Sequence, residues 1–403
     1  MPTHIKLGYQ LKVKPSKHNY LSWRLFLDKG ITEPILSVDA LAPAMIVYTS
    51  GSTGTPKGVV LSNVAINSYA FQTRNDALKT KRGDSFLLIL PPFIGFGIAE
   101  LQTIITNGFN CTLWIELKPK EIVKAFFRVK PNYFIGGPAL IETFLHHVPS
   151  KHKTLKLFIG GGGGISEEKE RNINQFLLKC GSNCVYAGGY GLTEAGSTLC
   201  CSTNEIYKLG SSGIPLVKTC VKVVNTDTGE MLPYGEIGEL HFSTPNMMIG
   251  YYQNEEATSD IIYIDQEGTK WVRTGDLGYV DPDGFVFIKG RIKRIYITRG
   301  KDGTVYKLFP QRIEEFFLSQ HNVDQCGVVV QEVEPYIFVP FVYIIQKKAN
   351  KDDLQKLYDV SKKELPAHMQ PERIVILDVM PLTQSGKIDY LTLEKLSRSS
   401  EKT

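Results

Sequence analysis

Short apolar segments alternate with helical segments over the first two-thirds of the chain. Turn-forming residues bound these apolar segments, which is typical of buried strands. The predicted strands are Ala44–Tyr48, Phe86–Leu90, Tyr133–Ile135, Leu155–Ile159 and Cys184–Tyr186, and helices are predicted at Pro119–Val129 and Glu167–Lys179. This alternation favours a parallel sheet with crossover helices, which places ligand-binding loops at the carboxyl ends of the strands.

The pattern of the sequence changes twice in the second half of the chain. From Val221 to Ile288, short strands separated by turn signals predict an antiparallel sheet or barrel. After Gly290, strands at Gly327–Gln331 and Ile337–Gln346 and a helix at Asp352–Leu365 predict a separate α+β unit.

Two domains are expected, because 403 residues are more than one hydrophobic core usually serves. We predict an α/β protein whose large N-terminal domain, residues 1–290, combines parallel βα sheets with a small antiparallel barrel-like part. A hinge at residues 291–294 then precedes a small, mobile α+β C-terminal domain at residues 295–403.

Composition excludes several classes of protein. The chain has 46 basic and 41 acidic residues, which is close to balance and argues against a nucleic-acid binder. Seven cysteines without paired CxxC motifs argue against a zinc site and indicate reduced thiols, so we predict a cytoplasmic protein. The most apolar stretch, Tyr336–Ile345, contains Pro340 and is too short to span a membrane.

The loop from Tyr48 to Gly58 contains hydroxyl side chains, three glycines and one lysine directly after a predicted strand. Glycines let backbone N–H groups approach an anion, and hydroxyls and a lysine add donors and charge. Pro56 stands where the GxxxxGK[ST] loop needs glycine, so this is a different loop. A Ser/Gly-rich surface linker is the alternative to a polyphosphate site. The predicted phosphate-binding residues are Thr49, Ser50, Gly51, Ser52, Thr53, Gly54 and Lys57.

Further candidate segments follow along the chain. They are Gly160–Gly164, Gly188–Glu194, Val272–Leu277, Gly290-Arg291 and Pro381–Asp389. Taken alone, the glycine run could be a flexible turn, Gly188–Glu194 a helix start, and Asp276 a turn residue. The glycine run does not fit GxGxxG, which argues against a dinucleotide fold.

In this order, the segments resemble the motifs of the acyl-adenylate-forming superfamily, which includes acyl-CoA and aryl-CoA ligases, adenylation domains and luciferases. The resemblance implies that Thr193 contacts the α-phosphate of ATP and that Glu194 holds Mg²⁺. It implies that Tyr190 packs on the adenine and that Asp276 accepts hydrogen bonds from the ribose hydroxyls. The nucleotide-binding residues implied by the resemblance are Gly162, Gly189, Tyr190, Gly191, Asp276, Ile288 and Arg291.

Pro381–Asp389 resembles the C-terminal lysine motif of the same superfamily. The resemblance implies that Lys387 bridges the carboxylate and the α-phosphate, where a fixed positive charge stabilises the developing negative charge. It makes Lys387, Thr193 and Glu194 the predicted catalytic residues. Lys293 occupies the usual pivot position of the hinge.

Phe93, Ile94 and Gly137 are predicted to line the pocket for the acid. Relatives often have histidine where Ile94 stands, so this wall is expected to be apolar. Phe93–Phe96 also lacks the aspartate that amino-acid-activating relatives use to hold an ammonium group, which is expensive to bury without a partner. A plain carboxylic acid is therefore the expected substrate.

Two features differ from the superfamily pattern. The phosphate loop lies close to Met1, whereas relatives usually carry a longer stretch before it, so a fragment, a short form or half of a split enzyme with a complementing N-terminal chain is expected. Arg294 and Arg312 stand where acidic residues are common, and the loop at residues 299–307 is long. These changes weaken the inference for thioester formation more than for adenylation.

We predict an AMP-forming acid–thiol ligase of the acyl-CoA synthetase type, of the kind used in fatty acid metabolism. It would convert a carboxylic acid and MgATP into an acyl-adenylate and pyrophosphate, and then form a thioester with coenzyme A. One alternative is an adenylation enzyme that loads the pantetheine of a carrier protein. Another is an inactive or split fragment that only binds nucleotide or a partner chain.

Overall fold

The computed structural model describes residues 39–49, 56–75, 80–90, 95–116, 118–161, 165–299, 304–320, 322–346, 351–383 and 387–399. The fold described below is that of the unit Ala40–Thr403.

The strands are, in chain order, β1 Pro43–Thr49, β2 Lys57–Ser62, β3 Ser85–Leu88, β4 Asn110–Leu113, β5 Tyr133–Gly136, β6 Leu157–Gly160, β7 Tyr186–Leu192, β8 Ser197–Cys201, β9 Ile214–Pro215, β10 Cys220–Val224, β11 Gly238–Ser243, β12 Gly250–Tyr251, β13 Ile262–Ile264, β14 Lys270–Val280, β15 Val286–Arg291, β16 Tyr296–Arg299, β17 Val305–Leu308, β18 Val323–Glu334, β19 Ile337–Gln346 and β20 Arg373–Ile376. The α-helices are α1 Asn63–Asn75, α2 Gly95–Asn107, α3 Pro119–Val129, α4 Pro138–Leu145, α5 Glu167–Lys179, α6 Glu255–Ile261, α7 Pro310–Leu318, α8 Lys351–Glu364 and α9 Tyr390–Ser399.

A seven-stranded sheet, in the order β4-β3-β5-β6-β7-β8-β9, carries most of the predicted site. Strands β3 to β7 pair in parallel, and β8 and β9 continue the sheet antiparallel. All four residues of β5 are buried, as expected for a parallel strand covered on both faces. The predicted parallel sheet with crossover helices is confirmed, and α3 and α5 have the predicted bounds.

Packing around α3 explains why this sheet is stable. Phe126 on α3 is buried and makes edge contacts with the rings of Phe134, Phe144 and His152. Such aromatic contacts add to the free energy gained by burying the rings. The side chain of Ser166 accepts a hydrogen bond from the backbone N–H of Lys169 and so caps the start of α5.

The predicted strand Ala44–Tyr48 is confirmed as β1, but its expected place in the parallel sheet is wrong. Strand β1 pairs antiparallel with β2, and β2 also pairs antiparallel with β12. The segment from Ser50 to Pro56 that joins β1 to β2 is short enough for a hairpin, whereas a parallel pair needs a crossover of a dozen or more residues.

The later parts of the chain also have the predicted character. Strands β10 to β15, apart from β12, form an antiparallel sheet in which β14 is central. The following segment contains an antiparallel pair, β18 and β19, with β20 parallel to β19, packed against α7 and α9. The α/β fold class is thus confirmed, and the domain boundaries near Lys293 remain predictions. Within the described residues, no helix has both the length and the hydropathy needed to cross a membrane.

Candidate active site

The predicted catalytic pair Thr193 and Glu194 lies in a 3-10 turn directly after β7. Gly191, just before this turn, is required by close packing, because a Cβ atom there would lie 1.6 Å from the backbone oxygen of Ser197. The chain thus places a hydroxyl and a carboxylate at the end of a central strand, where open α/β sheets usually bind ligands.

Glu194 is held by a tyrosine from a different sheet. The hydroxyl of Tyr251 donates a hydrogen bond to Oε1 of Glu194 at 2.7 Å, and Nζ of Lys57 lies 4.9 Å from the centre of the Tyr251 ring. Burial and the neighbouring Glu194 raise the pKa of Tyr251, so the phenol keeps the proton that it donates. Tyr251 therefore connects the end of the phosphate loop to the predicted metal ligand.

Asp276 is the centre of a second cluster. Its carboxylate is almost fully buried and accepts hydrogen bonds from Nε of Arg291 at 2.7 Å and from the hydroxyl of Tyr190 at 2.6 Å. Burial and the adjacent Asp276 raise the pKa of Tyr190 well above its ordinary value, which keeps the phenol a donor. Three predicted nucleotide-binding residues from β7, β14 and β15 are thus in direct contact.

The contacts of Asp276 add a detail to the expected ribose site. Each carboxylate oxygen already accepts one hydrogen bond, and each has a second lone pair through which it can accept another. The arrangement is therefore compatible with two ribose hydroxyls. Tyr190 and Ile288 both pack against the same buried apolar cluster, so their side chains are held in place beside Asp276.

Lys387 lies close enough to Arg291, Asp276 and Glu194 to interact with them electrostatically. Desolvation lowers the pKa of the Lys387 amine, Arg291 lowers it further, and the two carboxylates oppose the shift. The Lys387 side chain is nevertheless exposed. We infer that protein groups surround the amine without covering it, so water still reaches it. The structure thus brings the predicted lysine to both acidic clusters.

Hydrogen bonds hold the described backbone at both ends of the loop from Thr383 to Lys387. The N–H of Thr383 donates to the carbonyl of Lys387 at 2.7 Å, and Leu382 forms an antiparallel bridge with Ile388. Asp389 then caps α9 by accepting from the N–H of Thr392. The loop is therefore fixed at both ends, and Lys387 lies three residues before Tyr390 on α9.

A buried carboxylate links this loop to the predicted hinge. Arg294, next to Lys293, forms two hydrogen bonds to Glu314, at 2.8 and 3.3 Å. Oε1 of Glu314 also accepts from the hydroxyl of Tyr390 at 3.0 Å and from the N–H of Val328 at 2.9 Å. Arg294, which departs from the superfamily pattern, thus has a specific partner in this chain. Lys293 itself is exposed.

Helix α2 begins at the site. A Cβ atom at Gly95 would lie 2.9 Å from Oγ1 of Thr193, and one at Gly161 would lie 2.7 Å from the Phe96 ring. The first turn of α2 therefore touches both the catalytic turn and the glycine segment after β6. On its other side, a small cavity beside Thr193 is lined by Val47 and other apolar side chains.

Four other predicted residues lie near the site, and the remainder lie outside the described residues. Thr49 and Lys57 face each other at the ends of β1 and β2, which brackets the phosphate loop. Cβ atoms at Gly137 and Gly189 would lie 3.8 Å from the Gly161 oxygen and 3.5 Å from the Gly160 oxygen, so these glycines surround the end of β6. The predicted residues outside the described ones are Ser50, Gly51, Ser52, Thr53, Gly54, Phe93, Ile94 and Gly162.

Sequence reasoning missed Tyr251, Glu314 and Glu100. Tyr251 and Glu314 are single residues of common type, and only the fold shows their contacts. Glu100 did leave a signal, because it interrupts the apolar run that begins at Phe96. A charged residue at the buried face of a helix is unusual enough to be examined.

The donor set at the site fits a magnesium ion held mainly by its nucleotide. Among the described residues, no group of three or more His, Cys, Asp or Glu side chains could hold a metal ion alone. Mg²⁺ usually takes one or two carboxylates together with phosphates and water, and Glu194 offers one carboxylate.

The fold and the two clusters agree with a comparison that places this chain in a family. The chain belongs to the AMP-binding enzyme family, whose model matches residues 9–252. The model of the AMP-binding enzyme C-terminal domain matches residues 312–387.

Several known proteins are similar to this chain. A probable CoA ligase of Humulus lupulus is 29% identical, over 88% of this chain and 64% of its own length. The 4-coumarate–CoA ligase of Pinus taeda is 28% identical, over 85% and 63% respectively. The chain thus spans less than two-thirds of these curated relatives.

The solved structures agree with these sequence matches. The o-succinylbenzoate CoA synthetase of Bacillus subtilis, in complex with its acyl-adenylate intermediate, is 25% identical with a TM-score of 0.74. The match covers 88% of this chain and 70% of that one.

Proposed function

We propose that this chain activates a carboxylic acid with ATP, forming an acyl-adenylate and pyrophosphate, and then transfers the acyl group to the thiol of coenzyme A. The observation that carries this proposal is the position of Lys387 near Glu194, Asp276 and Arg291. A lysine from the C-terminal segment is thereby brought to residues that the family resemblance assigns to phosphate, metal and ribose.

In the first half-reaction, a carboxylate oxygen of the acid attacks the α-phosphorus of ATP. The bond from the α-phosphorus to the bridging oxygen breaks, and pyrophosphate leaves with its electron pair. Negative charge grows on the phosphoryl oxygens in the transition state, and Lys387 and Thr193 would stabilise it. Asp276 and Tyr190 would hold the nucleoside in the required orientation.

Glu194 would hold a magnesium ion that neutralises charge on the phosphates. The hydrogen bond from Tyr251 fixes the orientation of this carboxylate. Orienting partners of this kind usually matter nearly as much as the ligand itself. Lys57 and the predicted phosphate loop, Thr49–Gly54, would bind the remaining phosphate oxygens.

In the second half-reaction, the thiol sulfur attacks the acyl carbonyl carbon, and AMP leaves. We propose that the segment after residue 294 first turns about Lys293 as a small domain, residues 295–403, relative to residues 1–290. This would withdraw Lys387 and admit the thiol. The contacts among Arg294, Glu314 and Tyr390 support the proposal, because they make the lysine loop and the end of the hinge one connected unit.

Coenzyme A is the proposed acceptor because similar proteins carry the names of CoA ligases. Those names also include a long-chain-fatty-acid–CoA ligase and 4-coumarate–CoA ligases, so they leave the acid open between aliphatic and aromatic classes. A cytoplasmic location and a carrier-protein acceptor remain hypotheses. A complementing N-terminal chain finds no support in the comparisons.

The test is ATP-dependent release of pyrophosphate, with hydroxylamine present to trap the acyl-adenylate, over a panel of fatty, aryl and α-amino acids. We expect release with one class of plain carboxylic acids and thioester formation with coenzyme A. Holo carrier protein, supplied instead of coenzyme A, separates the two acceptors.

Absence of release with every acid, from folded protein that binds ATP, would contradict the proposal. The inactive or split-fragment reading would then be favoured. Release with α-amino acids alone would contradict the expected substrate class.

A further inference from the structure

The segment that carries Asp276 is a bulge in strand β14. The pairing of β11 with β14 shifts between Glu239 and His241, so that Leu240 lies opposite the three residues 274–276. A bulge leaves backbone groups without partners in the neighbouring strand, and side chains must then satisfy them. The position of Asp276 therefore depends on the contacts that hold this bulge.

A side chain of β11 holds the middle of the bulge. Oε1 of Glu239 accepts a hydrogen bond from the backbone N–H of Gly275 at 2.9 Å. Gly275 has a φ of +69°, a left-handed conformation that glycine adopts without strain. The N–H of Asp276 is satisfied within the bulge, because it donates to Oγ1 of Thr274 at 3.0 Å. Glu239 thus fixes the bulge from the neighbouring strand.

Glu239 is itself held by a histidine. Its Oε2 lies 3.1 Å from Nε2 of His241, and Nδ1 of His241 lies 2.7 Å from the hydroxyl of Tyr263. Burial acts to raise the pKa of Glu239, but His241 and the Gly275 N–H lower it below its ordinary value. The carboxylate is therefore charged at neutral pH, and a charged acceptor binds an N–H group more strongly than a neutral one.

The bulge connects Glu239 to the ribose end of the proposed nucleotide site. Asp276 follows Gly275 directly in the chain. Arg291 and Tyr190 orient the carboxylate of Asp276, whereas Glu239 fixes the backbone from which that carboxylate projects. A displacement of about 1 Å in a group that binds a substrate can lower the rate on the order of a hundredfold.

We propose that Glu239 is a positioning residue for ATP: by holding the N–H of Gly275, it places the Asp276 carboxylate so that the site prefers nucleotides with ribose hydroxyls. His241 keeps the Glu239 carboxylate in the required orientation. This inference rests on the proposed function, because it assumes that Asp276 binds the ribose. Glu239 acts through Asp276 and needs no contact with a substrate.

The experiment compares ATP with 2′,3′-dideoxy-ATP, which lacks both ribose hydroxyls. Pyrophosphate release gives kcat/KM for each nucleotide, and the ratio of the two values measures recognition of the hydroxyls. Glu239→Met removes the acceptor, and Glu239→Asp keeps the charge but shortens the side chain by one methylene group. Glu239→Gln keeps an oxygen acceptor at the same length. Glu236→Met, at an exposed carboxylate just before β11, is the matched control.

We expect the wild type to prefer ATP, and this preference should fall about three- to tenfold in Glu239→Met, the value of one hydrogen bond. Glu239→Asp should show a similar loss, because its shorter side chain does not reach Gly275. Glu239→Gln and Glu236→Met should keep the wild-type ratio. If Glu239→Met does not fold, Glu239→Asp decides alone. An unchanged ratio in either folded variant, even with lower activity toward both nucleotides, would overturn the inference.

Binding of the two nucleotides, measured by titration calorimetry with magnesium and without an acid, does not depend on turnover. Absence of pyrophosphate release with every acid would therefore contradict only the proposed adenylation. A preference for ATP that is reduced in Glu239→Met and Glu239→Asp would still support the role of Glu239. Equal affinities of the wild type for ATP and the dideoxy nucleotide would contradict it.

Discussion

Asp276 and Glu100 both carry buried carboxyl groups, and their surroundings are opposite. Asp276 accepts hydrogen bonds from Arg291 and Tyr190, one on each oxygen. Glu100, on the sheet-facing side of α2, accepts none from the described residues. A buried carboxylate is stabilised only where donors or cations are supplied.

The difference separates two kinds of buried carboxyl group. Asp276 has its donors within the folded chain, so its charge and orientation are fixed before any ligand arrives. Glu100 has no donor among the described residues, so the apolar layer around it favours the protonated carboxyl group.

Among the carboxyl variants, the largest effect is expected from Asp276→Asn. The change removes the charge that pairs with Arg291, and lost hydrogen bonds to charged groups cost about 1.5–3 kcal/mol. We expect kcat/KM for ATP to fall by about ten- to a hundredfold, measured from initial rates at varied ATP. Asp84→Asn is the control, because Asp84 pairs with Lys156 at the opposite end of the sheet. Equal ATP kinetics in both variants would remove the distinction between the two regions.

Glu100→Met should stabilise the protein, whereas Asp276→Leu should destabilise it. Replacing an unpaired buried carboxyl by an apolar side chain removes a penalty of about 1–3 kcal/mol. Asp276→Leu instead leaves Arg291 and Tyr190 without their acceptor. Urea denaturation measures both changes in the free energy of unfolding. A loss of stability in Glu100→Met would mean that its carboxyl has a partner in the folded chain.

The pH dependence of stability should have opposite signs at Glu100 and Asp84. The pKa of Glu100 is raised from 4.5, so its folded state holds a proton that the unfolded state loses. The wild type therefore loses stability relative to Glu100→Gln as pH rises from about 4.5 through the raised pKa.

At Asp84, burial acts to raise the pKa, but hydrogen bonds from Lys156 and the Lys81 backbone lower it below 3.8. This carboxylate contributes stability above that pH, and the contribution disappears as pH falls through the lowered pKa. Denaturation curves between acidic and neutral pH test both signs. Parallel trends for Glu100→Gln and Asp84→Asn would contradict the comparison.

Glu314 extends the comparison to a third carboxylate, with the smallest expected effect. Tyr390→Phe removes one of its donors and leaves Arg294 and the Val328 N–H. A hydrogen bond typically contributes about 0.5–1.5 kcal/mol, and Glu314 keeps its other two donors, so we expect a two- to tenfold loss in kcat for adenylation with KM for ATP nearly unchanged. A fall in stability with unchanged kcat would limit Tyr390 to a structural role.

Much of this molecule could be predicted from its sequence. The parallel sheet, the bounds of α3 and α5, and strand β19 follow from local patterns of apolar residues and turns. The motif order also predicted that Lys387, Glu194, Asp276 and Arg291 belong to one site. Nearly two hundred residues separate Glu194 from Lys387 along the chain.

The remainder depends on contacts between distant segments. Strand β1 has the composition of any buried strand, and only its short connection to β2 shows that the pair is antiparallel. Tyr251 and Glu194 meet across two sheets, which local patterns do not encode. Glu100 could be noticed in the sequence, but whether it had a partner could not, because that depends on which face of α2 meets the sheet.

The most direct test of the proposed function is acid-dependent pyrophosphate release by Lys387→Ala, compared with the wild type and with Lys293→Ala. Removing one preorganised charge from a transition state typically lowers the rate by about a hundred- to a thousandfold. We predict such a loss in Lys387→Ala, with ATP binding retained and much less loss in Lys293→Ala. Pyrophosphate release by Lys387→Ala at the wild-type rate would contradict the proposed role of this lysine and, with it, the adenylation mechanism.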